Sequence, residues 1–172
     1  YRRLERVSSM KTTDELRQGE LIRRAEEFRS ASEGRDVERM LALFADDAEV
    51  TMAPGTFSGK AAIRRFFEWE VRTAPVASSK ETGVGMVAAG RSVVWECQIS
   101  ETVQGVPYTT DAVRILDFDD IGLIRRYRSY YDKLDVMEKI AAGLPGVYGR
   151  FARALIGYLV ALGKKGLDTS AA

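Results

Sequence analysis

The sequence predicts an α+β fold, and three observations point to it. Up to about residue 73 the apolar residues recur at helical spacing, from Lys80 to Asp132 they alternate, and beyond Asp132 helical spacing returns.

The elements follow in order. Thr12 and Glu15 have the form of a capping box, and Leu21, Ala25 and Phe28 follow on one helical face until Glu33-Gly34-Arg35 ends the run. Asp36 caps a second helix, with Val37, Met40, Leu41 and Phe44 at i, i+3, i+4 and i+7. Asp46-Asp47 reads as turn chemistry leading into a short strand at 48–52, which Pro54-Gly55 closes. A third helix starts near Gly59, buries Ile63, Phe66, Phe67 and Val71, and stops before Pro75.

Four strands in a meander come next. The first, at 81–89, carries Gly83 and Gly85, which mark a bulge or bend; no helix follows, so they form no phosphate cradle. In the second, at 93–103, Val93, Trp95, Cys97 and Ile99 share one face. Gln104-Gly105 turns the chain into the third, where Thr109, Asp111, Val113 and Ile115 share what reads as the apolar face. The acidic turn DFDDIG leads to the fourth, with Tyr127, Ser129 and Tyr131 on one face and Arg126, Arg128 and Tyr130 on the other.

Leu134, Met137, Ile140 and Ala141 form a helical stripe that Gly143 ends. A last helix from about 147 to 164 presents Val147, Phe151, Leu155, Tyr158, Leu159 and Leu162. That stripe is expected to pack on the fold as a cover. The second reading, supported by Arg150, Arg153, Lys164 and Lys165, is contact with an anionic membrane surface. The tail LDTSAA reads as frayed.

Composition excludes several functions. The 172 residues suit one domain with a good core. Hydrophobic residues make up 45% and charged residues 30%, and 26 basic against 25 acidic side chains leave a net charge of +1, which argues against nucleic acid as a partner. No apolar run is long enough to span a bilayer. There is no histidine, so Ser-His-Asp and Cys-His catalysis and histidine-ligated metal are out of reach within one chain. The single Cys97 forms no internal disulfide and fits a reducing compartment; the expected location is cytoplasmic. The first residues lack a signal-peptide core, and Met10 is a candidate start with 1–9 upstream of it.

Three segments then resemble a known superfamily: LALFADDAEV at 41–50, FSGKAAIRRFF at 57–67 and IRRYRSYYD at 124–132. Together they resemble the nuclear transport factor 2-like superfamily, and within it the SnoaL-like and ketosteroid isomerase-like proteins. The resemblance implies a cone-shaped α+β barrel, in which a strongly bent antiparallel sheet wraps around the N-terminal helices and leaves a deep apolar cavity, commonly in a homodimer. The expected organisation is an extension at 1–13, the SnoaL-like domain at 14–135, and extra C-terminal helices at 136–172 packed on it.

The superfamily's functional positions carry over poorly. The ketosteroid isomerase donor tyrosine, base aspartate and supporting tyrosine fall at Phe28, Met52 and Phe67, and only the second oxyanion-hole carboxylate has a counterpart, Asp111. The Arg-x-Asp pair of the epoxide hydrolases falls at Cys97 and Ile99, and their third aspartate at Ser129.

What remains is a pocket with one inward carboxylate. Asp111 is the expected catalytic residue, a desolvated carboxyl acting as acid or hydrogen-bond donor; pairing at the cavity rim with Thr109 or Tyr131 is the structural alternative. Tyr127, Ser129 and Tyr131 are expected to position the substrate, within walls of Phe28, Met52, Phe67, Trp95 and Ile99. Cys97 reads as a buried, inert thiol. The expected ligand is a small hydrophobic molecule, with neither metal nor cofactor. Two functions stand side by side. One is an isomerase, cyclase, dehydratase or hydratase acting on a polyketide-, steroid- or terpenoid-like substrate; the other is a non-catalytic module that binds a lipophilic ligand or supports a dimer.

Overall fold

The computed structural model describes residues 2–163 and 165, with side chains from Arg17 onward except at Tyr148. Helices α1 (Arg2–Glu33) and α2 (Val37–Ala42) precede strands β1 (Phe44–Met52) and β2 (Gly55–Ser58). Helix α3 (Lys60–Thr73) leads into β3 (Val76–Ala89), β4 (Ser92–Val103), β5 (Val106–Phe118) and β6 (Ile124–Tyr131), and α4 (Lys133–Gly143) and α5 (Gly146–Gly163) close the chain. The sheet is curved and open, in the order β2-β1-β6-β5-β4-β3. Only β1 and β6 pair in parallel; the other neighbours are antiparallel, so β3 to β6 form the expected meander.

The core lies between the helices and one face of this sheet. Leu21, Ala25 and Phe28 of α1, Met40 and Leu41 of α2, and Ile63, Phe66 and Phe67 of α3 are buried there with Val50, Val93, Leu116 and Tyr127. Phe28 meets Phe44 and Tyr127 edge-on, with ring centroids 5.5 and 5.0 Å apart. Local chemistry sets the boundaries: Asp36 accepts from the Arg39 amide at 3.0 Å, and Asp132 accepts from the Leu134 and Asp135 amides at the start of α4. Gly83 and Gly85, both at positive φ, sit where the β3–β4 register shifts between Glu81 and Met86, which is the bulge read from sequence.

Several expectations change. Helix α1 runs from Arg2, so Thr12 and Glu15 lie inside it and do not begin it. Phe44 opens β1 because α2 ends at Ala42, two residues short of its apolar stripe; Asp46 and Asp47 therefore lie on a strand, ion-paired with Lys60 and Arg125. The four-residue β2 was too short to signal itself. Helix α4 is rotated: Val136 and Ala141 are buried and Met137 is exposed, because α4 turns toward β5 and the cavity and away from the outer surface. The tail at 167–172, Lys164 and Tyr1 lie outside the described residues.

Candidate acid-base site in the cavity

Two-residue turns fix which side chains enter the cavity. Gln104 and Gly105, both at positive φ, close a tight hairpin that pairs Val103 with Val106. Directly paired residues share a face, so the register carries Cys97 opposite Ala112 and Trp95 opposite Arg114. Trp95 and Cys97 are fully buried, and Ala112, Thr110 and Arg114 are buried with them. Asp111 is therefore on the opposite face of β5, exposed, where Gln98 Nε2 donates to its Oδ1 at 3.2 Å.

This corrects the reading of β5. Val113 and Ile115 suggested an inward face for their parity, but Val113 is exposed and Ile115 half-buried, and the cation between them goes inside. Asp111 does not reach the cavity.

The cavity, of about 460 Å³, opens between α3, the ends of β4, β5 and β6, and α4. Of the residues expected to line it, Met52, Ile99 and Tyr131 do. Phe28, Phe67 and Tyr127 are buried in the aromatic core, and Trp95 and Ser129 are buried behind the cavity wall. Tyr127 stays in the core because Phe28 packs on its ring, and burial drives its pKa up. Cys97 is buried and burial raises its pKa too, which makes it a poor nucleophile.

The polar residues of the cavity form a set. Glu101 and Tyr108 are cross-strand partners, and the Tyr108 hydroxyl donates to Glu101 Oε2 at 2.5 Å. Burial and this bond raise the Tyr108 pKa, so it stays protonated. Tyr131 is also raised, chiefly by burial, and keeps its proton as a donor. Arg114 is only 7% exposed; its guanidinium lies 4.9 Å from the Trp95 ring centroid, and its Nε has no hydrogen-bond partner among the described residues. Thr110, four residues earlier on the same face of β5, donates at 3.4 Å to Asp135 of α4.

Glu70 faces this set from α3. Burial, reinforced by the nearby negative charge of Glu101, pushes its pKa up to about 7, against the opposing pull of Arg114 and Arg35. A carboxyl poised near neutrality, a buried guanidinium with a free donor and two protonated phenols can move a proton and hold the negative charge that results. Among the described residues, no three His, Cys, Asp or Glu side chains are gathered to hold a metal ion.

Neither Glu70 nor Arg114 figured in the sequence reading. The signal for Glu70 was its place on the α3 stripe, seven residues after Ile63 and three after Phe67, where a carboxylate is out of character. The signal for Arg114 was the two-residue turn.

Comparison with known proteins agrees with this fold. A SnoaL-like domain family model matches residues 25–127. A protein of ketosteroid isomerase-like fold from Catenulispora acidiphila, solved with trimethylamine, superposes with a TM-score of 0.62 at 21% identity over 71% of this chain and 93% of that one. An epoxide hydrolase of M. tuberculosis gives 0.63 at 18% identity, over 84% of this chain and 98% of that one. A candidate polyketide cyclase of Xanthomonas campestris gives 0.63 at 18% identity, over 72% and 98%. At such identities these likenesses show the fold. No curated protein matches the sequence.

Proposed function

Because the chain belongs to the SnoaL-like domain family, we propose that its cavity houses an enzyme of proton transfer, acting on a hydrophobic, carbonyl-bearing molecule of polyketide, steroid or terpenoid type. The observation that carries the reading is Glu70, a carboxyl held near pKa 7 in the same cavity as the unpartnered Nε of Arg114. Ionised Glu70 takes a proton from the carbon next to the carbonyl. The C–H electron pair forms a carbon–carbon double bond and the carbonyl π pair moves to the oxygen, which Arg114 and the Tyr131 hydroxyl stabilise as an enolate. Protonated Glu70 then returns the proton to another carbon of the enolate, which gives an isomerase, or the enolate carbon attacks a second carbonyl and the alkoxide so formed takes the proton from Glu70, which gives a cyclase. The apolar wall, with Met52, Phe66, Trp69, Ile99 and Val136, takes the body of the substrate. The relatives in fold described as an epoxide hydrolase and a candidate polyketide cyclase act on, or are assigned to, oxygen-bearing small molecules, which is in keeping with this class.

The test is exchange of the α-protons of β-diketone and enone substrates in deuterated buffer, followed by NMR. The expected result is catalysed exchange that rises with pH through about 7 and falls by about 10²–10⁴-fold in Glu70→Gln. A bound ligand recovered with no exchange would assign the cavity to carriage without chemistry, and full activity in Glu70→Gln would remove Glu70 from the mechanism.

A further inference from the structure

Helix α5 carries two apolar faces and buries only one. Ile156 and Gly149 are buried where α5 packs on α4, and Arg153 ties the two helices by donating from Nη1 to the carbonyls of Ala141, Ala142 and Leu144. Roughly a third of a turn around the helix lie Val147, Phe151, Leu155, Tyr158, Leu159 and Leu162. All six are exposed, from 47% at Leu159 to 71% at Phe151. This is the stripe expected to pack on the fold, and it faces away from it. Single exposed apolar residues are ordinary; six in one stripe along a whole helix are not.

Charge decides what covers the stripe. From Gly146 to Lys165 there is no Asp or Glu, whereas Arg150 stands near one end of the stripe and Lys165 just past the other, both exposed. A second copy laid against it would set cation against cation with no acidic side chain on the helix to answer. An anionic lipid surface answers both features: its headgroups take the cations, and its acyl boundary takes the six apolar side chains, with Phe151 and Tyr158 at the level where aromatic rings settle. No described helix is long and apolar enough to cross a membrane, so α5 lies along the surface.

We infer that α5 docks the protein, by its outward apolar stripe, flat on an anionic membrane surface. This does not depend on what the cavity does.

The test is flotation of the full chain with vesicles of phosphatidylglycerol in phosphatidylcholine, against vesicles of phosphatidylcholine alone. The expected result is partition onto the anionic vesicles that weakens with added salt. Phe151→Ser with Leu155→Ser should lower the partition at least about tenfold, and Arg150→Gln with Lys165→Gln, which leaves the apolar stripe whole, should reduce the preference for anionic lipid. Unchanged circular dichroism melting shows that the variants keep the fold. No flotation, equal partition onto both vesicle types, or an undiminished serine variant would each overturn the proposal. So would a dimer in sedimentation equilibrium that the serine variant dissolves while lipid binding is absent, since the stripe would then belong to a second copy.

Discussion

One helical turn of α3 separates Phe67 from Glu70, and two pairs of steps along β6 separate Tyr127 from Tyr131, yet the members of each pair live in different surroundings. Phe67 and Tyr127 belong to the end of the interior where Phe28, Phe44 and Phe67 pack ring against ring, with centroids 5.5 to 6.3 Å apart. Glu70 and Tyr131 belong to the end that stays open as a cavity. The same sheet and the same helix build both. At the filled end, aromatic side chains satisfy one another and close-pack. At the open end, Glu70, Glu101 and Arg114 are ionisable groups that apolar neighbours cannot solvate, so space remains where a ligand or solvent can meet them. The filled half anchors α3 and β6 in the core, and these same elements carry Glu70 and Tyr131 into the open half.

Breaking the filled half should show most in stability. Phe28→Ala leaves a hole among rings that cannot collapse and should cost about 3–5 kcal/mol in urea unfolding, whereas Trp69→Ala at the exposed cavity edge should cost far less.

The open half should show itself through pH. Folding moves the Glu70 pKa up from 4.5 to about 7, so between those values the native state binds a proton that the unfolded chain does not. The Glu70 contribution to stability is therefore fully present below pH 4.5, falls as pH rises through about 7, and is gone above. The loss should total about 3 kcal/mol. Denaturation series at pH 5 and pH 8 for the wild type and Glu70→Gln check this; the contribution should vanish in the variant, and an identical slope in both would put the pKa shift in doubt.

Arg114 sharpens the comparison further, since it is the cation that opposes the rise at Glu70. In Arg114→Met the Glu70 transition should move to still higher pH, read from the carboxyl carbon by NMR titration. The smallest effect should come from the hairpin: Gln104, at φ 52, occupies a backbone region that suits Asn better, so Gln104→Asn should stabilise by about 0.5 kcal/mol in thermal unfolding.

Much of the filled half was legible in the sequence. Leu21, Ala25 and Phe28, then Met40 and Leu41, then Ile63, Phe66 and Phe67 recur at helical spacing because they all face one core, and the alternation in β4 from Val93 to Ile99 is faithful to its burial. The open half was not, for a physical reason: apolar alternation locates a face only where that face is apolar. In β5 the inward positions include Thr110 and Arg114 while Val113 looks outward, so hydrophobicity pointed the wrong way. The length of the Gln104-Gly105 turn held the answer, since a two-residue loop fixes which residues stand opposite one another. Glu70 was hidden by the opposite habit, because charged residues on helices are ordinarily assigned to water.

That turn also makes β5 intolerant of changes in length. One codon gained or lost between Val103 and Val106 would turn the whole strand over: Tyr108, Thr110 and Arg114 would leave the cavity, and Leu116 and Phe118 would leave the core with them. Cavity wall and hydrophobic core are thus read in one frame, so an indel in this loop costs the fold together with the site, and variation of the pocket is left to single side-chain replacements.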